Sequence, residues 1–143
     1  MEFVPGTIFA NDYRVRHALS AGGMGAVYVV DQISTGKPRA LKLMHAQLLH
    51  SPELRARFEQ EARIGARIAS EHVVEVHAAG IDFGTQQPYI VMELLEGDSL
   101  SKRLARLGGK MPLLDILRLI RQITSALQAA HMKGIVHRDL KPD

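Results

Sequence analysis

Three glycines, Gly22, Gly23 and Gly25, lie between two segments that favour β-strands. The flanking segments, 13–19 and 26–30, are rich in residues that suit a pleated, half-buried surface, so the stretch predicts a hairpin with glycines at its tip. Without a Cβ, such residues let main-chain N–H groups approach a ligand closely, most often a phosphate. The glycines alone fit an ordinary hairpin turn equally well.

Charged residues at two further places could act on a phosphate. Lys42 lies inside the apolar segment 39–43, where a lysine either points to solvent or is paired with an opposite charge. Glu59 and Glu61 lie on a predicted helix at 53–69, where neighbouring arginines also fit a solvated face. Each segment alone leaves both interpretations open.

Histidines do not point to a metal site. The pairs His45 with His50 and His72 with His77 lack accompanying ligands, and the chain has no cysteine. The sequence therefore predicts neither a metal site built from histidines or thiolates nor a disulfide.

The predicted secondary structure changes from strands to helices along the chain. Residues 1–12 read as a lead-in loop, and one helix interrupts the strands that follow. We predict strands at 13–19, 26–30, 39–43, 73–82 and 88–93, with the helix at 53–69.

Two helices are predicted after the last strand. Gly97-Asp98-Ser99 begins a short helix that runs to about residue 107, and Pro112 begins a long helix that ends near residue 132. The apolar stripe of the long helix is wide, which predicts burial on more than one side.

Composition narrows the class of protein. The chain has 143 residues, 46% hydrophobic and 23% charged, which suits one domain or part of one. A net charge of +3 with dispersed arginines does not indicate nucleic-acid binding. Without cysteines, an apolar run long enough to span a membrane, or a leader-like start, the sequence predicts a cytoplasmic location.

Five segments, taken together and in their order along the chain, resemble a known protein family, although none of them is specific by itself. They are the glycine stretch, Ala40-Leu41-Lys42, Glu61, Val91-Met92-Glu93 and His137-Arg138-Asp139-Leu140-Lys141-Pro142. This order resembles the first part of the protein kinase signature, in the form of the bacterial, eukaryotic-type (Hanks-type) serine/threonine kinases.

The resemblance implies an α+β fold. A kinase-like N-lobe, with a five-stranded antiparallel sheet and one main helix, would be followed by the first helices of a truncated C-lobe. The implied boundaries are 1–12 for the lead-in, 13–95 for the N-lobe and 96–143 for the start of the C-lobe.

The resemblance also implies an ATP site. Lys42 would hold the α- and β-phosphates, and Glu61 would pair with it. Met92 would be the gatekeeper beside the adenine, and the backbones of Glu93 and Leu95 would hydrogen-bond the edge of the base. The other nucleotide contacts would come from Leu19, Ser20, Gly22, Gly23, Gly25, Val27 and Ala40.

The catalytic residues implied near the end of the chain are Asp139 and Lys141. Asp139 would accept the proton of the substrate hydroxyl, and Lys141 would steady the transferring phosphoryl group. The pair Lys141-Pro142 resembles the serine/threonine class, so the implied reaction is ATP- and Mg²⁺-dependent phosphorylation of serine or threonine hydroxyls on protein substrates.

Three departures from the family pattern qualify this interpretation. Ser20 replaces the first glycine of the G-x-G-x-x-G pattern, and Gly65 replaces a larger apolar residue on the helix. The chain stops at Asp143, one residue before the family's metal-binding asparagine, so the metal ligands are expected beyond its end. We therefore expect weak nucleotide binding, no phosphoryl transfer by this polypeptide alone, and an exposed apolar patch that favours aggregation or dimerisation.

Two other functions fit parts of the sequence. A dinucleotide-binding domain is disfavoured, because a strand rather than a helix follows the glycines and Lys42 stands near the position of the expected acid. A non-catalytic, nucleotide-binding or interaction scaffold of kinase-like fold remains the alternative.

Overall fold

The computed structural model describes residues 3–22, 25–45, 51–53, 56, 58, 60, 62, 67–138 and 140–142. These residues fall into two compact units. Those within 1–66 and 74–95 form the first unit, and those within 67–73 and 96–143 form the second.

The first unit is built on an antiparallel sheet. Among the described residues its strands are β1 (Ile8–Phe9), β2 (Tyr13–Gly22), β3 (Gly25–Gln32), β4 (Pro38–Met44), β5 (Val76–Ile81) and β6 (Pro88–Glu93). Their order across the sheet is β1-β2-β3-β4-β6-β5, so β4 lies between β3 and β6. The predicted α+β class and the glycine-tipped hairpin of β2 and β3 are confirmed, with Gly23 outside the described residues.

The sheet has one strand more than the five predicted, because part of the lead-in loop pairs with β2. Ile8 pairs with Arg14 and Phe9 with Tyr13. Ala10 and Asn11 both have positive φ, at 47° and 58°, as the central residues of a type I′ turn require. Alanine gives no sequence signal for this conformation, so the sequence pattern does not predict β1.

The main core lies on one face of the sheet. Fully buried side chains such as Leu41 alternate along β4 with residues that face the other side. Phe9 and Tyr89 add an edge-to-face aromatic contact at 5.3 Å between ring centroids. The members of this cluster are Phe9, Tyr13, Val15, Tyr28, Val30, Leu41, Leu43 and Val91.

A second, smaller cluster covers the opposite face of the sheet. The described residues of the predicted helix at 53–69 are helical at 53, 56, 58, 60, 62 and 67. Of these, Phe58 packs with Met44 and Ile90, and Ala62 packs against the same cluster. The helix therefore rests on the sheet face that also carries Lys42.

Asp12 ties the start of β2 to the turn between β3 and β4. Its carboxylate accepts hydrogen bonds from the Ser34 backbone N–H at 2.7 Å, the Ser34 hydroxyl at 2.8 Å and the Gln32 side-chain amide at 3.1 Å. The Gln32 amide, followed by Ser34, holds the pKa of Asp12 below its ordinary value of 3.8.

The second unit is helical, as predicted. Helix α1 (Leu100–Arg106) begins at Ser99, whose hydroxyl accepts a hydrogen bond from the Lys102 N–H at 3.3 Å. Helix α2 (Leu113–His131) follows Pro112. None of the helices in the described part of the chain is long and apolar enough to cross a membrane.

The apolar stripe of α2 is more exposed than its width predicts. Ala130 is its buried residue, whereas Leu113, Leu117 and Ile120 are 69%, 54% and 51% exposed. A helical pattern specifies which face is apolar but not which element covers it. The exposed side chains agree with the apolar patch expected of this chain, rather than with burial of the stripe on more than one side.

Candidate functional site

Strand register brings several predicted nucleotide-binding residues onto one face of the sheet. Ser20 pairs with Val27, Val27 with Lys42, and Lys42 with Ile90. Directly paired residues of antiparallel strands point to the same side. The four side chains therefore form one row across β2, β3, β4 and β6, which we call the lysine row.

A second row lies on the same face of the sheet, two residues further along each strand. Val29 pairs with Ala40, and Ala40 pairs with Met92. Ala40 is buried and Met92 is half-buried. The predicted adenine-facing alanine and gatekeeper methionine are thus neighbours, and they stand next to the lysine row.

An open cleft of about 300 Å³ lies at the tip of the β2–β3 hairpin. We call it the glycine cleft. It is lined by Ser20, Ala21, Gly22, Gly25, Ala26, Val27, Lys42 and Leu43. The structure therefore places the lid of the predicted phosphate site and its lysine around the same cleft.

The two described glycines of the lid differ in what the structure demands of them. Gly25 has φ +148°, and a Cβ built on it would lie 2.0 Å from the Leu43 carbonyl oxygen. A Cβ on Gly22 would meet nothing within 4 Å. Only Gly25 of this pair is required by close backbone approach, a distinction that the sequence pattern does not make.

Leu19 lies at an irregularity of the same hairpin. Ala18 pairs with Tyr28 and Ser20 with Val27, so Leu19 has no partner across the strands. A bulge of this kind re-aims the side chains that follow it. It sets Ser20, rather than Leu19, in the lysine row.

Lys42 is half-buried, between the buried residues Leu41 and Leu43 of the main core. The helical residues Phe58 and Ala62 pack on its side of the sheet. Glu61, its predicted partner, lies outside the described residues, so the ion pair stays a prediction.

The residues predicted to contact the base have different backbone environments. The Glu93 N–H donates to the Glu75 carbonyl at 3.0 Å, and the Glu93 carboxylate accepts from the Glu75 N–H at 2.9 Å. A contact from Glu93 to a base would therefore fall to its carbonyl oxygen. Leu95 follows β6 and is 64% exposed.

The predicted catalytic segment lies in the second unit. Arg138 adopts φ +60°, a conformation uncommon for a residue with a Cβ and often associated with functional sites. The Ser101 N–H of α1 donates to the Pro142 carbonyl at 2.9 Å and so holds the end of this segment. Lys141 is exposed, and Asp139 lies outside the described residues.

One triplet of the chain has the letters of a kinase metal-binding motif but a different role. Asp82-Phe83-Gly84 begins the turn between β5 and β6. The Asp82 carboxylate accepts hydrogen bonds from the Thr85 N–H and hydroxyl, both at 2.8 Å, which is turn capping. Within the described ranges, no three histidine, aspartate or glutamate side chains are grouped to hold a metal ion.

Comparison with known proteins agrees with this arrangement. The protein kinase domain model matches residues 13–143. The chain is 42% identical over 131 residues to the serine/threonine-protein kinase Pkn1 of Myxococcus xanthus, covering 92% of this chain and 18% of that protein. It is 41% identical over 133 residues to PknE of Mycobacterium tuberculosis, covering 92% of this chain and 23% of that protein.

Solved structures show the same fold. The PknI kinase domain of Mycobacterium tuberculosis superposes with a TM-score of 0.82 at 31% identity, covering 99% of this chain and 57% of that one. The chain thus spans about a fifth of the curated relatives and a little over half of that kinase domain. With its lysine row, its glycine cleft and a family match over residues 13–143, the chain belongs to the protein kinase domain family.

Proposed function

We propose that the first unit binds ATP and that the chain is the nucleotide-binding part of a serine/threonine protein kinase domain. The lysine row carries this proposal, because Lys42 lines a cleft whose wall also contains the described glycines of the lid. An ammonium beside closely approachable backbone suits a polyphosphate. Ala40 and Met92 offer an apolar surface next to it for a base.

The family supports the same ligand. Protein kinases use ATP and Mg²⁺, and the relatives compared above are serine/threonine kinases. No described residue is proposed as a magnesium ligand, since no suitable group of carboxylates occurs among them. The proposed binding mode relies on Lys42 and on the backbone of the lid.

We assign the lobes of the kinase domain along the chain as 13–95 for the N-lobe and 96–143 for the start of the C-lobe. The two compact units support a division after residue 95. Residues 67–73 group with the second unit, although they lie between strands of the first.

Phosphoryl transfer in this family depends mainly on positioning and charge neutralisation. In the proposed reaction Asp139 orients a serine or threonine hydroxyl of a protein substrate and receives its proton. Lys141 and Lys42 offset the negative charge of the phosphoryl oxygens, and Glu61 directs Lys42.

Nucleotide binding can be tested with one substitution and a matched control. We expect Lys42→Met to weaken ATP binding by about tenfold or more, because a charge-assisted contact to phosphate is lost. Adenosine binding should change little. Lys37→Met removes an equal charge from an exposed position of the same unit and should leave ATP binding unchanged.

The titrations are best followed by heteronuclear NMR, which measures weak affinities. Absence of ATP binding by the unmodified chain would contradict the proposal. So would equal ATP affinities of the Lys42→Met and Lys37→Met variants.

We expect the 143-residue polypeptide to bind nucleotide without transferring phosphoryl groups, because it spans 57% of the solved kinase domain that it matches. Radiolabelled ATP and a serine/threonine-rich protein substrate test this. Clear transfer that is abolished by Asp139→Asn would show that the chain is itself a complete catalyst.

A non-catalytic scaffold is the second candidate. The exposed apolar side chains along α2, including Leu113, Leu117 and Ile120, favour a role in protein association. A monodisperse monomer in light scattering at high concentration would argue against this alternative and against dimerisation.

A further inference from the structure

Ser20 is the residue at which the lid departs from the glycine pattern of the family, and the strand register defines the face of the sheet on which it lies. It lies in β2 opposite Val27, which in turn lies opposite Lys42. All three side chains therefore project from the same face of the sheet. Ser20 is exposed, so a ligand can reach it.

The backbone accepts a side chain at this position without strain. The residues with positive φ do not include Ser20, whereas Gly25 on the neighbouring strand has φ +148°. A glycine is therefore not needed at position 20 for conformational reasons. The irregularity at Leu19 sets Ser20 in register with Val27.

The described part of the lining of the glycine cleft is otherwise poor in polar side chains. Among the eight described residues that line it, Ser20 and Lys42 carry a hydrogen-bonding side chain, and the other six are alanine, glycine, valine or leucine. A ligand with several negatively charged oxygens would find side-chain donors at these two places.

The spacing of the two donors suits a chain of phosphates. Adjacent strands are about 4.8 Å apart, so the backbones of Ser20 and Lys42 are separated by about 10 Å across Val27. The long lysine side chain and the short hydroxyl can thus contact different phosphoryl groups of one polyphosphate.

We infer that the Ser20 hydroxyl is a second phosphate-binding group of the lid, which donates a hydrogen bond to a nucleotide polyphosphate that Lys42 also holds. This inference rests on the proposed ATP site. A glycine at this position can contact a phosphate only through its main chain, whereas Ser20 would add a side-chain contact.

The test compares ATP and adenosine binding to the full chain carrying Ser20→Ala, Ser20→Gly or Ser20→Thr. A hydrogen bond to an anionic oxygen at an exposed position should be worth about a fivefold change in affinity. We expect Ser20→Ala and Ser20→Gly to weaken ATP binding by about that factor and to leave adenosine binding unchanged. Ser20→Thr keeps the hydroxyl and should keep most of the ATP affinity.

Ser34→Ala is the matched control, since it removes a hydroxyl from the same unit at the β3–β4 turn, outside the cleft. It should bind ATP as the unmodified chain does. NMR spectra of the Ser20 variants should differ from that of the unmodified chain only at the residues whose chemical shifts also change on ligand binding. This result would show that the variants stay folded.

The outcomes separate this inference from the proposed function. If Lys42→Met loses ATP binding while Ser20→Ala and Ser20→Gly bind ATP normally or more tightly, the role of Ser20 is refuted and the ATP site stands. Equal weakening of ATP and adenosine by Ser20→Ala would also refute a phosphate contact. If the unmodified chain binds neither ligand, both proposals fail.

Discussion

Substituting Gly25 with alanine tests whether close backbone approach shapes the lid. An ideal Cβ at Gly25 would lie 2.0 Å from the Leu43 carbonyl oxygen and 3.0 Å from the Met44 Cα. Side-chain carbons essentially never come within 3.0 Å of another heavy atom, so β3 and β4 must separate locally by about 1 Å. Gly22, its partner across the hairpin, offers open space to a Cβ.

The cost of Gly25→Ala has two parts. A residue with a Cβ held at φ +148° costs about 1 to 3 kcal/mol in backbone strain. Loosening the end of the β3–β4 ladder adds about 1 kcal/mol per weakened hydrogen bond. We therefore expect a loss of about 3 kcal/mol in the free energy of unfolding, which corresponds to a fall of about 10 °C in Tm.

Urea denaturation followed by circular dichroism should compare the unmodified chain with Gly25→Ala and Gly22→Ala. Gly22→Ala is expected to change the free energy of unfolding by less than about 0.5 kcal/mol, since the position neither needs positive φ nor lacks space. ATP binding should weaken with Gly25→Ala. A Gly25→Ala variant as stable as the unmodified chain, or equal losses at both glycines, would refute this reasoning.

Two further predictions concern stability. Leu41→Ala, at a fully buried position of the main core, should lower the free energy of unfolding by about 3 kcal/mol in urea titrations. Leu113→Ala, at an exposed position, should lower it by less than about 0.5 kcal/mol. Similar losses for the two variants would contradict the assignment of the core. The folded-state pKa of Asp12 lies below its ordinary value of 3.8, so the ionised carboxylate stabilises the fold above that pH, and its contribution is lost as pH falls through the folded-state pKa. The Asp12→Asn variant should therefore be less stable than the unmodified chain at neutral pH and should lose less stability between pH 5 and pH 2. Thermal melts across that pH range would measure both effects. Equal losses of stability in the two proteins on acidification would contradict the role of Asp12.

Local signals predicted most of the elements. The hairpin of β2 and β3 follows from strand-forming residues around glycines, and α1 begins at the hydroxyl of Ser99, which caps it. These signals act over a few residues, so they can be recognised in the chain itself.

The elements and contacts that were missed depend on conformations or partners without a local signal. Strand β1 needs positive φ at Ala10, which alanine rarely adopts, and is held by burial of Phe9.

Residue types and their spacing are enough to identify the family, to predict that Lys42 and the neighbouring Leu41 point to different faces of β4, and to locate the glycines available to the lid. Strand pairing selects which of these residues lie together. The register of β2, β3 and β4 puts Ser20, Val27 and Lys42 in one row. The carbonyl of Leu43, distant in the chain, makes Gly25 rather than Gly22 the required glycine. Pairing between strands is a non-local property, because a shift of one residue would turn every side chain to the other face.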